Sequence, residues 1–352
     1  MRHSKDPVSA LRLVNGSAGD PAVYLDFPGQ DNAVQFDAGE LHRLDPVEVR
    51  DIGMVLLTHL HMDHFVGFDR ILRSTIDREK TVYVCGPVGT IGAVEKKLGA
   101  YVHHRFPFMK VRYEVLELGT PEESGSRASF DCQEGFVRRD LARHSPGIGS
   151  VILENPECRV RFALASHTVP CVSYAVDIKR GYRFDPTKAR GGVLRPGPWV
   201  KRVLEEVRKP KDSRARELPV DGEGGRFALK TLLDGYFTFE KARRIGFVTD
   251  TRVDRQTYPR LVELVEGAWR LYGDSYYAVG QEVKAEKYGH MTTEQVAGLA
   301  ADAGVDQLML IHFATRYRGR YDVLLEEARS YFPNTHAELP ERSRIHERHS
   351  LA

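Results

Sequence analysis

An α/β fold is predicted by a recurring grammar in which a short apolar run ends on a polar residue, a turn follows, and an amphipathic stretch comes after it. No internal repeat period competes with this pattern. The clearest unit lies near the C-terminal end. Thr292 and Gln295 form a capping box, Val296, Leu299 and Ala300 make one helical stripe, and Gly304 stops the helix. Leu308-Met309-Leu310-Ile311 then predicts a buried strand. Helices are also predicted over 89–98, after the Gly86-Pro87 turn, and over 321–331, before Pro333. Further apolar strands are predicted at 54–57, 161–166 and 245–249.

The 352 residues allow one large domain, and the broad apolar fraction of 41% against 28% charged residues excludes a disordered or collagen-like chain. We assign 1–335 to the domain, with an inserted arm or lobe at about 178–240, and 336–352 to a polar tail. The segment 119–146, rich in Glu, Ser, Gly and Arg, is expected to be a surface excursion, and 221–225 a flexible turn. Fifty-one basic and forty-nine acidic side chains give a charge of +2, so nucleic-acid binding cannot rest on bulk charge. Cys85, Cys132, Cys158 and Cys171 form no CxxC pair, which argues against a thiolate metal site or a disulfide framework. With no signal-like start and no apolar run of membrane-spanning length, a cytoplasmic protein without a membrane partner is expected.

The sharpest signal is Thr58-His59-Leu60-His61-Met62-Asp63-His64, directly after the 54–57 strand. Where a chain leaves extended geometry for a helix, His59 and His61 can converge on one cation while Asp63 and His64 turn toward a second. Imidazole and carboxylate donors without thiolate suit a hydrolytic zinc centre. His167, Asp250 and His312 each sit where an apolar strand stops. Sites in α/β folds form beyond the carboxyl ends of strands, so these ends can deliver their residues to one crevice.

These residues resemble the metallo-β-lactamase superfamily through its HxHxDH signature, and its ribonuclease Z-like branch through several neighbours. Phe36-Asp37-Ala38-Gly39-Glu40 resembles the motif preceding the signature. Ser166-His167-Thr168-Val169-Pro170, with Tyr174, resembles the third-histidine segment. Val248-Thr249-Asp250-Thr251 is similar to the bridging-aspartate motif, and His312-Phe313-Ala314-Thr315-Arg316-Tyr317 to the last histidine motif. The resemblance spans 11 to about 330. It implies a four-layer αββα sandwich with the metal site at one edge of the sheets, and two Zn2+ per chain, with Mn2+ or Fe2+ as alternatives. His59, His61 and His167 would hold one ion, Asp63, His64 and His312 the other, and Asp250 would bridge. Asp37 would orient a ligand from behind or, alternatively, only hold the Ala38-Gly39 turn.

The same resemblance implies a phosphodiesterase or endoribonuclease that cleaves the 3′ ends of tRNA precursors, with solvent as the nucleophile and Asp63 as a proton acceptor. His290-Met291-Thr292 is similar to the family's acid motif, and Asp274 stands where glutamate is usual. His290 as a helix-start residue is the competing reading. Gly197 and Pro198, within Arg195-Pro196-Gly197-Pro198-Trp199, resemble the segment that grips tRNA, and nearby Lys201, Arg202, Arg208, Lys209, Lys211, Arg214 and Arg216 could meet phosphates. They alternate with Glu205, Glu206, Asp212 and Glu217, so a solvated helix face is an equal alternative. Expected partners are RNA or a small phosphodiester, and a homodimer by resemblance. Hydrolysis of a thioester or lactone on the same metals, or zinc-stabilised nucleic-acid binding without catalysis, are the rival readings. His103, His104 and His144 close no apolar strand and are expected at the surface, with His144 the main rival to His167.

Overall fold

The computed structural model describes residues 11–28, 30–102, 107–120, 125–144, 146–220 and 225–340. Among them, one sheet takes eight strands in chain order: β1 (Leu11–Leu13), β2 (Val23–Leu25), β3 (Ala33–Phe36), β4 (Ile52–Leu56), β5 (Thr81–Pro87), β6 (Arg112–Leu118), β7 (Arg127–Asp131) and β8 (Arg138–Leu141). Strands β3 to β6 run parallel, with antiparallel strands on either side. The chain then enters a second sheet through β9 (Val151–Glu154), β10 (Cys158–Ala165) and β11 (Cys171–Ile178). It leaves for a lobe containing β12 (Gly181–Phe184), β13 (Glu217–Pro219), β14 (Arg226–Ala228) and β15 (Phe237–Glu240). It returns with β16 (Arg243–Val248), β17 (Arg270–Asp274), β18 (Leu308–Ile311) and β19 (Thr335–His336). The second sheet has the order β19-β18-β17-β16-β11-β10-β9.

Alternating side chains explain the layers, since successive strand residues face opposite sides. Val172, Tyr174, Val176 and Ile178 of β11 meet Phe36, Met54, Leu56 and Cys85 of the first sheet in a core between the sheets. Ala175, on the opposite face, lies under a helical layer with Leu261, Leu264, Val296, Leu299 and Leu324. The first sheet is covered in the same way by Phe68, Ile71, Val94 and Leu98. Both sheets are therefore buried on both faces, and the result is the expected αββα sandwich. Each large apolar side chain taken fully from water contributes about 1.5–3 kcal/mol. The second helical layer sits close to its sheet because a Cβ at Gly273 would lie 2.3 Å from Val296 Cγ2.

Local chemistry sets the helices. Helix Thr293–Asp302 starts on the predicted capping box, with Thr292 accepting from Gln295 N–H and the Gln295 side chain accepting from Thr292 N–H. Helices Thr90–Gly99 and Asp322–Tyr331 fall where the spacing put them. Two expectations need correction. The segment 119–146 is not only an excursion, because it supplies β7 and β8 and buries Ala128 and Phe130. The boundary at 336 is set too early, since His336 pairs with Met309 across the sheet and Glu338 N–H donates to Ser17 Oγ; residues 341–352 lie outside the described residues. Among the described residues, no helix is long and apolar enough to cross a membrane.

The lobe replaces a hairpin between β11 and β16, whose residues Ile178 and Arg243 are paired at its root. It has its own apolar cluster, in which Trp199 meets Tyr236 (5.3 Å between ring centroids), Phe237 (6.1 Å) and Phe184 (6.2 Å). Pro198 opens helix Pro198–Arg208, where its missing N–H costs nothing.

Candidate metal centre

Strands β4, β16, β17 and β18 all finish at the same edge, and so does β10, because two antiparallel steps bring it parallel to β16. His59, Asp250, His312 and His167 lie one to three residues beyond these ends, and Asp274 is the last residue of β17. Backbone strain marks three of the turns: Asp37 (φ 46°), Asp250 (φ 53°) and His312 (φ 61°) are left-handed. Such conformations are sparse for residues other than glycine, with Asp and His among those that tolerate them, and they cluster at functional sites.

The seven residues expected as ligands are brought together. His59 Nε2 lies 2.9 Å from His61 Nδ1, and the His167 ring is 4.9 Å from that of His59 and 5.2 Å from that of His61. A second group gathers Asp63, His64 and His312, with Asp63 Oδ2 3.3 Å from His312 Nε2 and 3.5 Å from His64 Nε2. Asp250 stands between them. Its Oδ2 is 3.4 Å from His64 Nε2 and 3.2 Å from His312 Nδ1, while Oδ1 is 3.9 Å from His167 Nε2. In each of the two groups, potential donor atoms lie within 4.8 Å of one another. His59, His64 and Asp250 are buried, whereas His61 is exposed and Asp63 partly so, which puts the open side of the cluster at the start of helix Met62–Phe65.

Residues behind the imidazoles fix which nitrogen faces inward. Carboxylate and carbonyl oxygens only accept, so His64 Nδ1–H donates to Asp37 Oδ2 (2.7 Å) and His167 Nδ1–H donates to Gly289 O (2.8 Å). Asp37, fully buried, also accepts from Thr58 N–H (2.7 Å) and Thr58 Oγ1–H (2.8 Å). It therefore does more than hold the Ala38-Gly39 turn. Ser166 N–H donates to Thr251 Oγ1 (3.0 Å) and Arg252 N–H to Ser166 O (2.8 Å), which ties the His167 loop to the Asp250 turn.

Electrostatics and polar satisfaction test whether a cation fits. His64 Nε2, His167 Nε2 and His312 Nδ1 are buried without a hydrogen-bond partner among the described residues. Such orphans are costly unless something else binds them. Burial lowers the affinity of His59 for a proton, to a pKa of about 2, leaving a neutral lone-pair donor. Burial works against a charged His64 as well, but Asp250 and Asp37 outweigh it and push that imidazole up to about 10. His312 is likewise driven well upward against its burial by Asp250 and Asp274. Burial opposes ionisation of Asp63 and Asp250, yet the imidazoles around them hold both carboxyls below the ordinary range. An environment that draws protons this strongly draws a cation, and divalent ions displace protons from such donors. Nitrogen and oxygen donors fit zinc-type ions. The thiol nearby, Cys171, is no competitor because burial pushes its pKa well up and keeps it neutral.

The remaining predicted residues separate. Asp274 is buried, accepts from His290 Nδ1–H at 3.1 Å and lies beside the cluster. His290 Nδ1 is also 3.5 Å from Asp250 Oδ1. Gly197 and Pro198 are exposed in the lobe, which springs from the opposite ends of β11 and β16. Several of the lobe's basic residues bond within it or at its root: Arg208 pairs with Glu157, Lys209 with Glu206 (2.8 Å), and Arg202 and Arg214 with backbone carbonyls. His144 is exposed, with its N–H donated to Gly125 O. His103, His104 and 221–224 lie outside the described residues.

Sequence reasoning missed Gly289 and Tyr276. Gly289 has φ 73°, and a Cβ there would lie 2.4 Å from His167 Nδ1, so only glycine lets its carbonyl reach the imidazole. Its position directly before His290 was the available signal. Tyr276 stacks on His290, and nothing in the spacing pointed to it.

Two facing sheets between helical layers, with a His/Asp cluster at their common strand-end edge, define a metallo-β-lactamase-fold protein with a metal centre. No family model matches the chain. It is 30% identical over 330 residues to ribonuclease Z of Deinococcus radiodurans, covering 89% of this chain and 96% of that one. To ribonuclease Z of Methanothermobacter thermautotrophicus it is 29% identical over 324 residues, covering 89% and 87%. Among solved structures, the metallo-β-lactamase-fold protein YhfI from Bacillus subtilis superposes with a TM-score of 0.52 at 14% identity, covering 92% of this chain and 93% of that one. A long-form RNase Z from yeast gives 0.51 at 16% identity, covering 90% of this chain and 39% of that one. These superpositions support the fold. The chain belongs to the ribonuclease Z family, a family of metal-dependent ribonucleases.

Proposed function

We propose that the protein is the endonuclease that removes 3′ extensions from tRNA precursors, working with two zinc ions. The observation that carries this reading is Asp250, whose two oxygens face different groups of imidazoles. His59, His61 and His167 would hold one ion, Asp63, His64 and His312 the other, and Asp250 both, with Mn2+ or Fe2+ as alternative occupants. When bound, such a pair supplies Lewis acidity and brings the pKa of water toward about 7.

The chain's own groups have distinct tasks. Asp37 and Gly289 keep Nδ1 of His64 and His167 occupied, so that each Nε2 faces the centre. Asp63, ionised and at the open side, can accept the proton of the attacking water. His290 would protonate the departing 3′ oxygen. With Nδ1–H donated to Asp274, the proton it gives away is carried on Nε2. The aspartate reaches His290 despite being one methylene shorter than glutamate.

The lobe bears on substrate size. Its root and the metal centre lie at opposite ends of β11, whose eight residues span about 23 Å at roughly 3.3 Å per residue. A substrate touched by Gly197 and Pro198 and cut at the centre is therefore large, or is shared with a second copy in a homodimer. A small phosphodiester that needs no lobe is the second reading. The test is a panel of 3′-extended tRNA, bis(p-nitrophenyl) phosphate and a thioester, each with zinc-loaded and chelated protein. Zinc-dependent release of the tRNA extension is expected. Turnover of the thioester alone, or RNA binding without cleavage, contradicts the proposal.

A further inference from the structure

Asp274 accepts one hydrogen bond from His290 Nδ1–H, and a ring held by one bond can turn about that axis. The carboxylate is also shared: Oδ2 accepts from Met291 N–H (3.3 Å), and Oδ1 accepts from Tyr276 N–H (3.1 Å) and lies 3.7 Å from His312 Nδ1. A second restraint is needed to fix the plane of the imidazole. The Tyr276 ring lies flat against that of His290, with 4.1 Å between centroids and 11° between planes. The same ring tilts against His312 at 5.1 Å and is backed edge-on by Tyr277 at 5.1 Å. Arg316 in turn lies over Tyr277, 5.1 Å from its centroid.

We infer that Tyr276 is a positioning residue for the leaving-group step, holding the His290 plane by stacking while Asp274 fixes its axis. The inference rests on the reading of His290 as the acid. Tyr276 covers one face of His290 and leaves the edge opposite Asp274 for the scissile bond. The phenol hydroxyl has no part in this role, so a phenylalanine serves as well. An aromatic pair stabilises its geometry enough to favour the positioned ring roughly 2- to 12-fold.

The experiment measures zinc content, kcat and KM on a 3′-extended tRNA for the zinc-loaded full chain, with Tyr276→Leu, Tyr276→Thr, Tyr276→Phe, His290→Ala and the Tyr276→Leu/His290→Ala double variant. Expected are wild-type zinc content in all of them, kcat lowered about 2- to 12-fold with KM unchanged for the leucine and threonine variants, and rescue by phenylalanine. In the His290→Ala background, Tyr276→Leu should cost nothing further. A raised KM with kcat intact would make Tyr276 a platform for a substrate base and overturn the inference. Loss of zinc, or an undiminished cost in the His290→Ala background, overturns it too. If His290→Ala lowers kcat and Tyr276→Leu does not, only the inference falls. If His290→Ala keeps full kcat, the reading of His290 as acid falls first.

Discussion

The two ends of the second sheet are built on different terms. At the metal end, His167, Asp250 and His312 are one or two positions past a strand and His59 three, so the sheets' hydrogen bonds position residues far apart in the chain. Their donor atoms are buried, strained turns aim them, and Asp37 and Gly289 hold them from behind. At the other end, the lobe folds around Trp199 in its own cluster and attaches through the paired Ile178 and Arg243 and through ion pairs of Glu157 with Arg183 (2.7 Å) and Arg208. The first arrangement restrains its imidazoles from the sheet and from behind. The second folds on a cluster of its own, separate from the centre, where the proposed contact with a large substrate would be made.

This contrast can be broken most sharply at Asp250. Asp250→Ala removes the group facing both sets of imidazoles, and hydrolysis of bis(p-nitrophenyl) phosphate is expected to fall by about three to four orders of magnitude, roughly 4–5.5 kcal/mol. Metal analysis should show zinc lost along with it. Retained activity would mean that the two groups do not share this carboxylate.

The counterpart in the lobe is Trp199→Ala. Emptying the cluster is expected to destabilise the lobe by about 3 kcal/mol or more, read as rapid proteolytic nicking within 181–240. Zinc content and hydrolysis of the small diester should persist, since among the described residues the lobe shares no side chain with the centre. Parallel loss of both would show that the two ends are one cooperative unit.

Gly289→Ala tests how finely the metal end is set. The added methyl would meet His167 Nδ1 at 2.4 Å on a left-handed backbone, so zinc affinity measured against a competing chelator should weaken about 10- to 100-fold while the fold survives. Unaltered affinity would show that the Gly289 carbonyl does not orient His167.

A smaller effect is expected at Asp26, beyond β2 at the far edge of the first sheet. Burial, reinforced by Asp51, raises its carboxyl to about 6. The folded state therefore holds a proton that the unfolded state releases near pH 4, and stability falls as pH rises from about 4 to about 6. Asp26→Asn should remove that fall and stabilise the protein above pH 6 by about 1 kcal/mol, read by denaturant unfolding across the pH range. An unchanged pH profile would contradict it.

Much of the metal end was legible in the sequence because strand-end residues announce themselves: apolar runs stop, and His or Asp follows. The 58–64 cluster needed no tertiary knowledge, whereas His167, Asp250 and His312 stand at strand ends but were singled out as ligands by resemblance to family motifs. Gly289 and Tyr276 were not legible, since their partners are 122 residues away in one case and a ring face in the other. The 119–146 segment misled because the edge strand β8 carries the exposed charges Arg138, Arg139 and Asp140 and β7 is flanked by Arg127 and Asp131, and charge-rich composition resembles that of a loop. The lobe's basic residues could not be sorted by sequence into free and bonded ones, because Glu157, the partner of Arg208, lies 51 positions away.

The proposed reaction needs a pair of cations sharing Asp250. Anomalous scattering at the zinc edge from crystals of the metal-loaded protein tests it directly. Two peaks are predicted, one among His59, His61 and His167 and one among Asp63, His64 and His312, with Asp250 between them. A single peak, or density away from these imidazoles, would contradict it.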